Sequence, residues 1–323
     1  MTGSTISVVI PNFNRAGLIG ETLDNVLAQS RPPHEVIVVD DGSTDASIEV
    51  IESFAPRVRL IRQANRGPGA ARNRGLSEAS GELIQFMDSD DLSSLNKLEA
   101  QASALEAGGA DFAYSPWLQA RLENGRATHR DPVLQQRPLP IARSPLQWFL
   151  RGWVTVFQAC LFRRSLLEAV GGYREDLMPS EDSELLFRIL KHGARPAHVA
   201  GALTLYRLHG GYQISQGGLA ADKRAKDWAR FTEVVADQLD GAPGLTTSDR
   251  RSWERTRRDA VAALSGEAPP GRSLAERIAG RLRGGSGWGS AYQAGPLSKA
   301  QIALVRELGF ETIKVSQAAF ERR

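Results

Sequence analysis

Cysteine is almost absent from this chain, and long apolar runs are missing. The single cysteine, Cys160, has no partner for an internal disulfide, which fits a reducing compartment. It lies in an apolar stretch, so we expect a buried structural thiol rather than a nucleophile. No apolar run reaches the ~20 residues of a membrane-spanning helix, and no basic-then-apolar signal segment comes before the first apolar run. These absences predict a cytoplasmic protein.

Net charge is also small, because 40 Lys and Arg nearly balance 37 Asp and Glu. From Asp249 onward, however, 14 Lys and Arg face only 8 Asp and Glu, so the tail is basic. Peripheral contact with the anionic inner face of a membrane is one interpretation. The alternatives are a solvated helical lid and a contact between copies of the chain in a homo-oligomer. We favour these alternatives, because no tail helix sets a clean apolar face against a Lys and Arg face.

Three short apolar runs are typical of buried strands, and a polar cluster follows each of them. The runs are residues 6–10, 35–39 and 83–87, and the clusters are residues 11–14, 40–43 and 88–91. Helical patterns lie between and after them, near residues 18–27, 48–54, 70–79 and 98–105. This alternation predicts βαβ units around a mostly parallel sheet. Ligands bind beyond the carboxyl ends of such strands, so the three clusters should converge on one crevice.

The cluster at residues 88–91, which reads Asp-Ser-Asp-Asp, is the most informative of the three. Carboxylates this close repel one another, and a divalent cation offsets the repulsion best. Two acids at i and i+2 can face one hard cation and leave its other positions to water and phosphate oxygens. A solvated turn is the alternative, since Asp is common where strands end. The second acidic strand end, Asp40-Asp41, favours the metal site.

The ordered motifs resemble those of family 2 glycosyltransferases, over roughly residues 5–215. The resemblance is specific for the fold and for nucleotide-sugar chemistry, but not for the sugar or the acceptor. It implies the α/β GT-A fold, a Rossmann-like, mostly parallel sheet flanked by helices, here followed by a helical C-terminal extension. The matching segments are residues 7–14, 38–45, 65–67, 71–73, 88–91, 170–173, 181–185 and 206–209.

The resemblance implies a nucleotide-sugar donor linked to UDP, GDP or dTDP. Asp41 lies where the family has a base-contacting acid, and a carboxylate can accept the ring N–H of a pyrimidine. Pro11 and Asn12 would present backbone groups to the base and ribose. Arg66 and Arg72 would contact the base or diphosphate, with an ordinary surface helix face as the alternative for Arg72. The predicted donor-binding residues are Pro11, Asn12, Asn14, Asp41, Arg66, Arg72, Asp88, Ser89 and Arg207.

Asp88 and Asp90 match the family's DxD element, which implies Mn²⁺ or Mg²⁺ as cofactor. Asp90 is the implied direct ligand, and Asp88 would reach the ribose or a metal-bound water. His209 can join the metal shell, within an Arg-x-His element that begins at Arg207 and closes over the diphosphate in the family. The metal would neutralise the departing diphosphate. The predicted metal ligands are therefore Asp90, Asp88 and His209.

Glu181 and Asp182 are the candidates for the catalytic base. Ser180 is the predicted N-cap of a helix that should end near Gly193. Acids in a first helical turn are favoured by the helix dipole whatever their function. The resemblance implies a catalytic pair here, and we choose Asp182. It would take the proton of an acceptor hydroxyl while that oxygen attacks the anomeric carbon opposite the diphosphate, which inverts the configuration.

The chain is predicted to divide near residue 215. Residues 1–110 would form the nucleotide-binding half of the GT-A domain and residues 111–215 the acceptor half. Residues 216–323 would form a mostly helical extension outside the catalytic machinery. Gly- and Pro-rich linkers are predicted within the extension at residues 266–272 and 284–295.

The acceptor half carries two further expectations. Residues 122–144 are rich in Arg and Pro and predict a long loop. The aromatic cluster after it predicts core for Trp148, Phe149 and Phe157, with Trp153 as the candidate for stacking on a sugar. Past His209, Gln213 and Ser215 would continue a mobile loop, for which neighbouring glycines supply the flexibility.

Together these patterns predict a metal-dependent, inverting hexosyltransferase in cell-surface polysaccharide or glycoconjugate synthesis. The acceptor would be a glycan, a lipid-linked molecule or a small molecule. No nucleic-acid-binding motif is present. A dinucleotide-dependent oxidoreductase is excluded, because Pro-Asn-Phe-Asn-Arg stands where G-x-G-x-x-G is required. The remaining alternative is a catalytically silent nucleotide-sugar-binding or scaffold protein with the same fold.

Overall fold

A computed structural model gives the fold and describes residues 3–129, 133–210, 220–239, 242, 244–264 and 296–315. The predicted linkers at 266–272 and 284–295, and the loop residues Gln213 and Ser215, lie outside the described residues. The strands are β1 (Ile6–Asn12), β2 (Glu35–Asp40), β3 (Arg59–Arg62), β4 (Leu83–Phe86), β5 (Leu92–Ser93), β6 (Phe112–Tyr114), β7 (Trp117–Glu123), β8 (Arg126–His129), β9 (Cys160–Arg163), β10 (Pro196–His198), β11 (Thr204–Arg207) and β12 (Glu311–Lys314). The α-helices are α1 (Ile19–Leu27), α2 (Ser47–Glu52), α3 (Pro68–Glu78), α4 (Lys97–Glu106), α5 (Pro145–Leu150), α6 (Arg164–Val170), α7 (Glu181–Lys191), α8 (Ala221–Leu239), α9 (Thr247–Leu264) and α10 (Lys299–Glu307).

The larger sheet has seven strands in the order β10-β6-β9-β4-β1-β2-β3. β1 runs parallel to β2 and β4, and β2 runs parallel to β3, whereas β9 is antiparallel to both of its neighbours. The central strands are buried, β-branched runs, as parallel strands covered on both faces should be. The predicted mostly parallel sheet is therefore confirmed, and β1, β2 and β4 end at one edge.

Helix α3 lies unusually close to β1. A Cβ atom on Gly75 would stand 2.3 Å from Cγ1 of Val9, so only glycine fits at this contact. Ala70 and Ala71 on the same helix are also buried. This close packing fixes the first turns of α3, which carry Arg72, beside the strand ends.

Residues 122–129 belong to a hairpin and not to the long loop predicted over residues 122–144. β7 and β8 are an antiparallel hairpin, and Asn124 and Gly125 at its turn have φ angles of 49° and 69°. Both values are left-handed, as a two-residue hairpin turn requires. Asn-Gly is a strong hairpin signal, but the sequence-based prediction rested on the Arg and Pro content of the whole segment.

The hairpin belongs to a second sheet, with five strands in the order β12-β8-β7-β11-β5. Strand β12 pairs in parallel with β8, and α10 directly precedes β12. Val305 of this helix is fully buried in a cluster with Leu118 and Leu205. The sequence pattern did not predict β12.

The aromatic cluster is core throughout. Trp148, Phe149 and Phe157 are buried, as expected. Trp153 is fully buried too, and its Nε1 donates to Oε1 of Gln135 at 2.8 Å, so the prediction that it stacks on a sugar is wrong. Cys160 is also buried, and burial raises the pKa of its thiol to about 12. The structural role predicted for this thiol is consistent with that environment.

Helices α8 and α9 share the main core rather than standing apart from it. Phe231, Val235 and Leu239 form an apolar stripe on α8 and are buried in the same cluster as Phe149. Trp253 of α9 stacks on the Phe149 ring, with centroids 5.9 Å apart. The domain boundary near residue 215 stays a prediction. No helix in the described part of the chain is long and apolar enough to cross a membrane.

Removal of the Trp253 side chain should show whether α9 unfolds together with the sheet. Trp253 is 3% exposed and its Nε1 donates to the Thr232 carbonyl oxygen, so Trp253→Ala should lower the free energy of unfolding by about 3–5 kcal/mol. Leu264→Ala, on the same helix at a residue 47% exposed, should change it by less than about 0.5 kcal/mol. Urea unfolding followed by circular dichroism measures both. A separate early transition in Trp253→Ala, with the main transition unmoved, would contradict a shared core.

A lysine at the start of α4 is buried against the sheet and gives a second prediction. Lys97 is 1% exposed, its Nζ donates to Oε1 of Gln85, and burial lowers the pKa of Lys97 to about 7. The unfolded chain binds this proton more tightly, so this contribution to stability falls as pH decreases from 10.5 towards 7. The stability of Lys97→Met relative to wild type should therefore rise by about 2 kcal/mol from pH 9 to pH 7. Urea titrations at both pH values test this, with the exposed Lys223→Met as control; equal pH slopes in the two variants would disprove it.

Candidate active site

The loops that follow β1 and β2 are tied to each other by side-chain hydrogen bonds. Asn12 Nδ2 donates to Asp40 Oδ2 at 2.9 Å and to Ser43 Oγ at 3.2 Å. Asn14, with a left-handed φ of 52°, donates its backbone N–H to Ser43 Oγ and accepts the Thr44 N–H on Oδ1. The predicted donor residues Asn12 and Asn14 therefore fix the shape of this edge.

The backbone of Pro11 and Asn12 is partly committed to the sheet. The carbonyl oxygen of Asn12 accepts the Asp41 N–H at 2.8 Å, and Pro11 is aligned with Val39 of β2. Pro11 is partly exposed, whereas Asn12 is buried. Of the two predicted backbone contacts to a base and ribose, the one from Pro11 is thus the more accessible.

Asp41 holds the loop that follows β3. Its Oδ1 accepts from Gln63 Nε2 at 2.8 Å and from the Arg66 N–H at 2.9 Å, and its Oδ2 accepts from the Gly67 N–H at 2.8 Å. The Arg66 guanidinium turns outward, is 65% exposed and pairs with Glu175. Asp41 therefore lies just past the end of β2 with a structural task, while the Arg66 side chain does not join the other candidates.

Arg72 occupies the centre of the site. Its Nη2 lies 2.7 Å from Asp88 Oδ1, and its Nη1 lies 3.1 Å from Glu181 Oε1 and 3.7 Å from Asp182 Oδ1. The guanidinium also lies 5.3 Å from the centre of the Tyr173 ring, and the side chain is only 6% exposed. The alternative of an ordinary surface helix face is therefore wrong for Arg72. This side chain joins residues 88–91, called the acidic loop below, to the candidate base.

Asp90 faces an arginine and a histidine. Its Oδ2 lies 2.9 Å from Arg15 Nε and 3.0 Å from His209 Nε2. Burial would raise the pKa of Asp90, but the His209 hydrogen bond and the Arg15 charge outweigh it and hold that pKa below its usual range. Sequence reasoning missed Arg15, although it directly follows the polar cluster at the end of β1. The structure thus brings two predicted metal ligands, Asp90 and His209, into contact.

Asp91 points into the protein. Its Oδ2 accepts from Gln158 Nε2 at 2.7 Å and its Oδ1 accepts from the Arg207 N–H at 2.8 Å. Burial, with the charges of the two neighbouring acids, raises the pKa of Asp91 well above its usual range. Ser89 is buried beside it. Sequence reasoning also missed Gln158, for which no local pattern gives a signal.

Arg207 is buried between the acidic loop and the first helix. It is 4% exposed, and its Nη1 lies 2.6 Å from Oε2 of Glu21 on α1. The Arg207 backbone N–H donates to Asp91, and His209, two residues later, contacts Asp90 on the same side of the site. The predicted Arg-x-His element therefore lies against the acidic loop.

Glu181 and Asp182 begin α7 but differ in exposure. Glu181 is 7% exposed, and burial, followed by the Asp182 charge, raises its pKa to about 7. Asp182 is 27% exposed. Ser180 is the N-cap residue, yet its side chain makes no capping hydrogen bond, contrary to the expected cap. Burial and then the Asp182 charge raise the pKa of Tyr173 well above its usual range, so Tyr173 is a neutral neighbour of the acid pair.

The side chains that could bind a divalent cation lie around residues 88–91. No three His, Cys, Asp or Glu side chains within the described ranges form a ready cluster. Asp90 and His209 supply one oxygen and one nitrogen at the same point, while Arg72 holds Asp88. Mg²⁺ and Mn²⁺ suit carboxylate oxygens, and Mg²⁺ is usually held by one or two carboxylates with water and substrate phosphates. Asp90 with His209 fits such an open site, and Asp88 is the neighbouring carboxylate.

Comparisons with known proteins bear on the family and the fold of the chain. The model of glycosyl transferase family 2 matches residues 7–171. An uncharacterized glycosyltransferase of Rickettsia felis is 38% identical over 114 residues, which are 35% of this chain and 19% of that protein. The uncharacterized glycosyltransferase EpsJ of Bacillus subtilis is 29% identical over 215 residues, which cover 62% of this chain and 60% of EpsJ. The chain thus spans less than two thirds of the length of these relatives.

Two solved structures share the fold at low sequence identity. S. aureus TarS 1-349, in complex with UDP-GlcNAc, has a TM-score of 0.61 and 20% identity, with 80% of this chain and 73% of that chain covered. The mannosyltransferase PcManGT of Pyrobaculum calidifontis, in complex with GDP-Man and Mn²⁺, has a TM-score of 0.56 and 22% identity, with 87% and 80% covered. The sheet, its flanking helices and these likenesses establish the GT-A fold. Because the family model matches half of its length, the chain belongs to glycosyl transferase family 2.

Proposed function

We propose that this protein transfers a sugar, with inversion, from a nucleoside-diphosphate sugar to an acceptor hydroxyl. The observation that carries the proposal is the Arg72 bridge from Asp88 to Glu181 and Asp182. It sets the acidic loop, which would bind a diphosphate through a divalent cation, beside a carboxylate that could remove a proton. The nucleotide sugars bound to the two solved neighbours support a donor of this class.

The donor would lie along the edge formed by the ends of β1, β2 and β4. Its diphosphate would meet the cationic side chains Arg15 and Arg207, both close to the acidic loop. Asp41 would accept the ring N–H of the base, with Pro11 beside it. Asp90 and His209 would hold Mn²⁺ or Mg²⁺, with Asp88 next to them. The cation, when bound, would neutralise charge on the leaving diphosphate.

Asp182 is the better placed of the two acids for the base. A base must reach the proton that it removes, so geometry comes before pKa. Asp182 is 27% exposed, whereas Glu181 is 7% exposed and its Oε1 is engaged by Arg72. Asp182 would take the hydroxyl proton, the acceptor oxygen would bond to the anomeric carbon, and the carbon–oxygen bond to the diphosphate would break. Attack opposite the leaving group inverts that carbon.

A role in cell-surface polysaccharide or glycoconjugate synthesis completes the proposal, with catalysis in the cytoplasm. The alternative is a catalytically silent nucleotide-sugar-binding protein. The presence of Asp88 and Asp182 around Arg72, with Asp90 two residues after Asp88, favours the enzyme. Donor-dependent release of nucleoside diphosphate, screened with UDP-, GDP- and dTDP-sugars, separates the two: binding without release would support the silent protein.

Activity should require both a divalent cation and the Asp90 carboxylate. Asp90→Ala should abolish diphosphate release, and EDTA should do the same to the wild type until Mn²⁺ or Mg²⁺ is restored. Mn²⁺ alone should raise the melting temperature of the wild type but not of Asp90→Ala, because ligand binding adds to stability. Asp24→Ala, an exposed acid on α1, is the control. Full activity in both EDTA and Asp90→Ala would show that no metal acts at this loop.

Asp182→Asn should slow the chemical step without weakening donor binding. The amide keeps the shape and hydrogen bonding but cannot take a proton, so kcat should fall by about 10²–10⁴-fold while donor affinity, measured by calorimetry, barely changes. NMR of the product should show an anomeric configuration opposite to that of the donor.

Two results would change this assignment. Near wild-type turnover of Asp182→Asn, with Glu181→Gln inactive, would move the base to Glu181. Retention of configuration would rule out a single displacement by either acid.

A further inference from the structure

A carboxylate of the C-terminal extension reaches the segment that leads into α7. Asp227 of α8 accepts the backbone N–H of Met178 on Oδ1 and the backbone N–H of Ser180 on Oδ2, the latter at 2.9 Å. Pro179 between them has no N–H. One side chain therefore satisfies both donors that flank the proline, immediately before Glu181.

This contact lies next to the helix end at which the sequence predicted a cap. The first N–H groups of a helix need acceptors, and a nearby negative charge is favourable at that end. The Ser180 side chain makes no capping hydrogen bond, and Asp227 binds the Ser180 backbone N–H immediately before the first turn of α7. Asp227 thus acts at the end of α7 that carries Glu181 and Asp182.

The helix that presents Asp227 is firmly held. Ala229 and Phe231, which follow Asp227 on α8, are buried, and the Phe231 ring meets the Trp253 ring edge-on at 5.7 Å. Asp227 itself is half-buried, and burial raises its pKa above the usual range despite its hydrogen bonds from Ser180 and Met178. An ordered helix thus holds both carboxylate oxygens towards the 178–180 backbone.

We infer that Asp227 is a positioning residue, which sets the start of α7 so that Asp182 faces the acceptor and Glu181 meets Arg72. This inference rests on the proposed function, because it takes Asp182 as the base. It differs from the sequence-based expectation that everything beyond residue 216 lies outside the catalytic machinery. The extension would act through the backbone of residues 178–180, with no contact to substrate.

Asp227→Asn in the full chain tests this. The amide keeps the shape but replaces one acceptor oxygen with an NH₂ group that would face a backbone N–H. A small displacement of a catalytic group can reduce turnover by up to about 10²-fold, so kcat for diphosphate release should fall by about 10- to 100-fold. The donor KM should stay within about twofold, because the proposed donor residues lie on other elements. Asp227→Glu, with two acceptor oxygens, should retain more kcat than Asp227→Asn.

Asp222→Asn is the matched control, since Asp222 lies on the same helix, is 65% exposed and pairs only with Lys226 among the ion pairs of the described residues. It should behave as wild type. A kcat for Asp227→Asn equal to that of Asp222→Asn would overturn the positioning role. So would a loss of kcat matched by a rise in KM and a large fall in melting temperature, which would indicate general destabilisation.

Hydrogen exchange gives a readout that does not depend on turnover. Amides of residues 178–187 should exchange faster in Asp227→Asn than in Asp222→Asn, while those of β1 and β2 stay unchanged. Unchanged exchange at 178–187 would overturn the inference even if activity fell. If the wild type released no diphosphate from any donor, the proposed function would fail on its own, and this exchange measurement would still decide whether Asp227 holds the segment.

Discussion

One buried guanidinium connects the two acidic halves of the site. Arg72 lies between Asp88, at the end of β4, and Glu181, at the start of α7. Without it, neighbouring carboxylates would face each other with little water between them; an unpaired buried charge costs roughly 3–5 kcal/mol. Its reach depends on backbone packing, because Gly75 lets α3 lie against Val9 closely enough. A steric constraint between a helix and a strand thus sets the spacing of the charged groups.

The sheet and its functional edge were predictable, because strongly local patterns encode them. Apolar, β-branched runs such as those of β1 and β2 have few other stable arrangements, and each is followed by polar residues at its carboxyl end. The position of Asp88 and Asp90 followed directly. Their partners did not, because a hydrogen bond between side chains depends on distances that periodicity does not contain. Arg72 was left between two interpretations, and Gln158 carried no signal at all.

Two errors have a common cause. The loop expected at residues 122–144 is partly a hairpin, and Trp153, expected near a sugar, is core. Composition decided both predictions, whereas local backbone geometry at Asn124 and Gly125 and packing against Tyr114 decide the structure. The contact from the extension was not predicted, for a related reason. The apolar stripe of α8 was visible, but nothing local indicated that Asp227, at its margin, meets the backbone before another helix.

The parallel pairing of β12 with β8 has a consequence for synthesis of the chain. The seven-stranded sheet is complete once Pro196–His198 has left the ribosome. The five-stranded sheet must wait for residues 311–314, which pair with a strand made far earlier. Domains fold from the N-terminus during translation, and distant pairings form slowly. The edge of β8 therefore stays unpaired on the nascent chain while more than a hundred further residues are added. During that time β8 can pair with a strand of another chain.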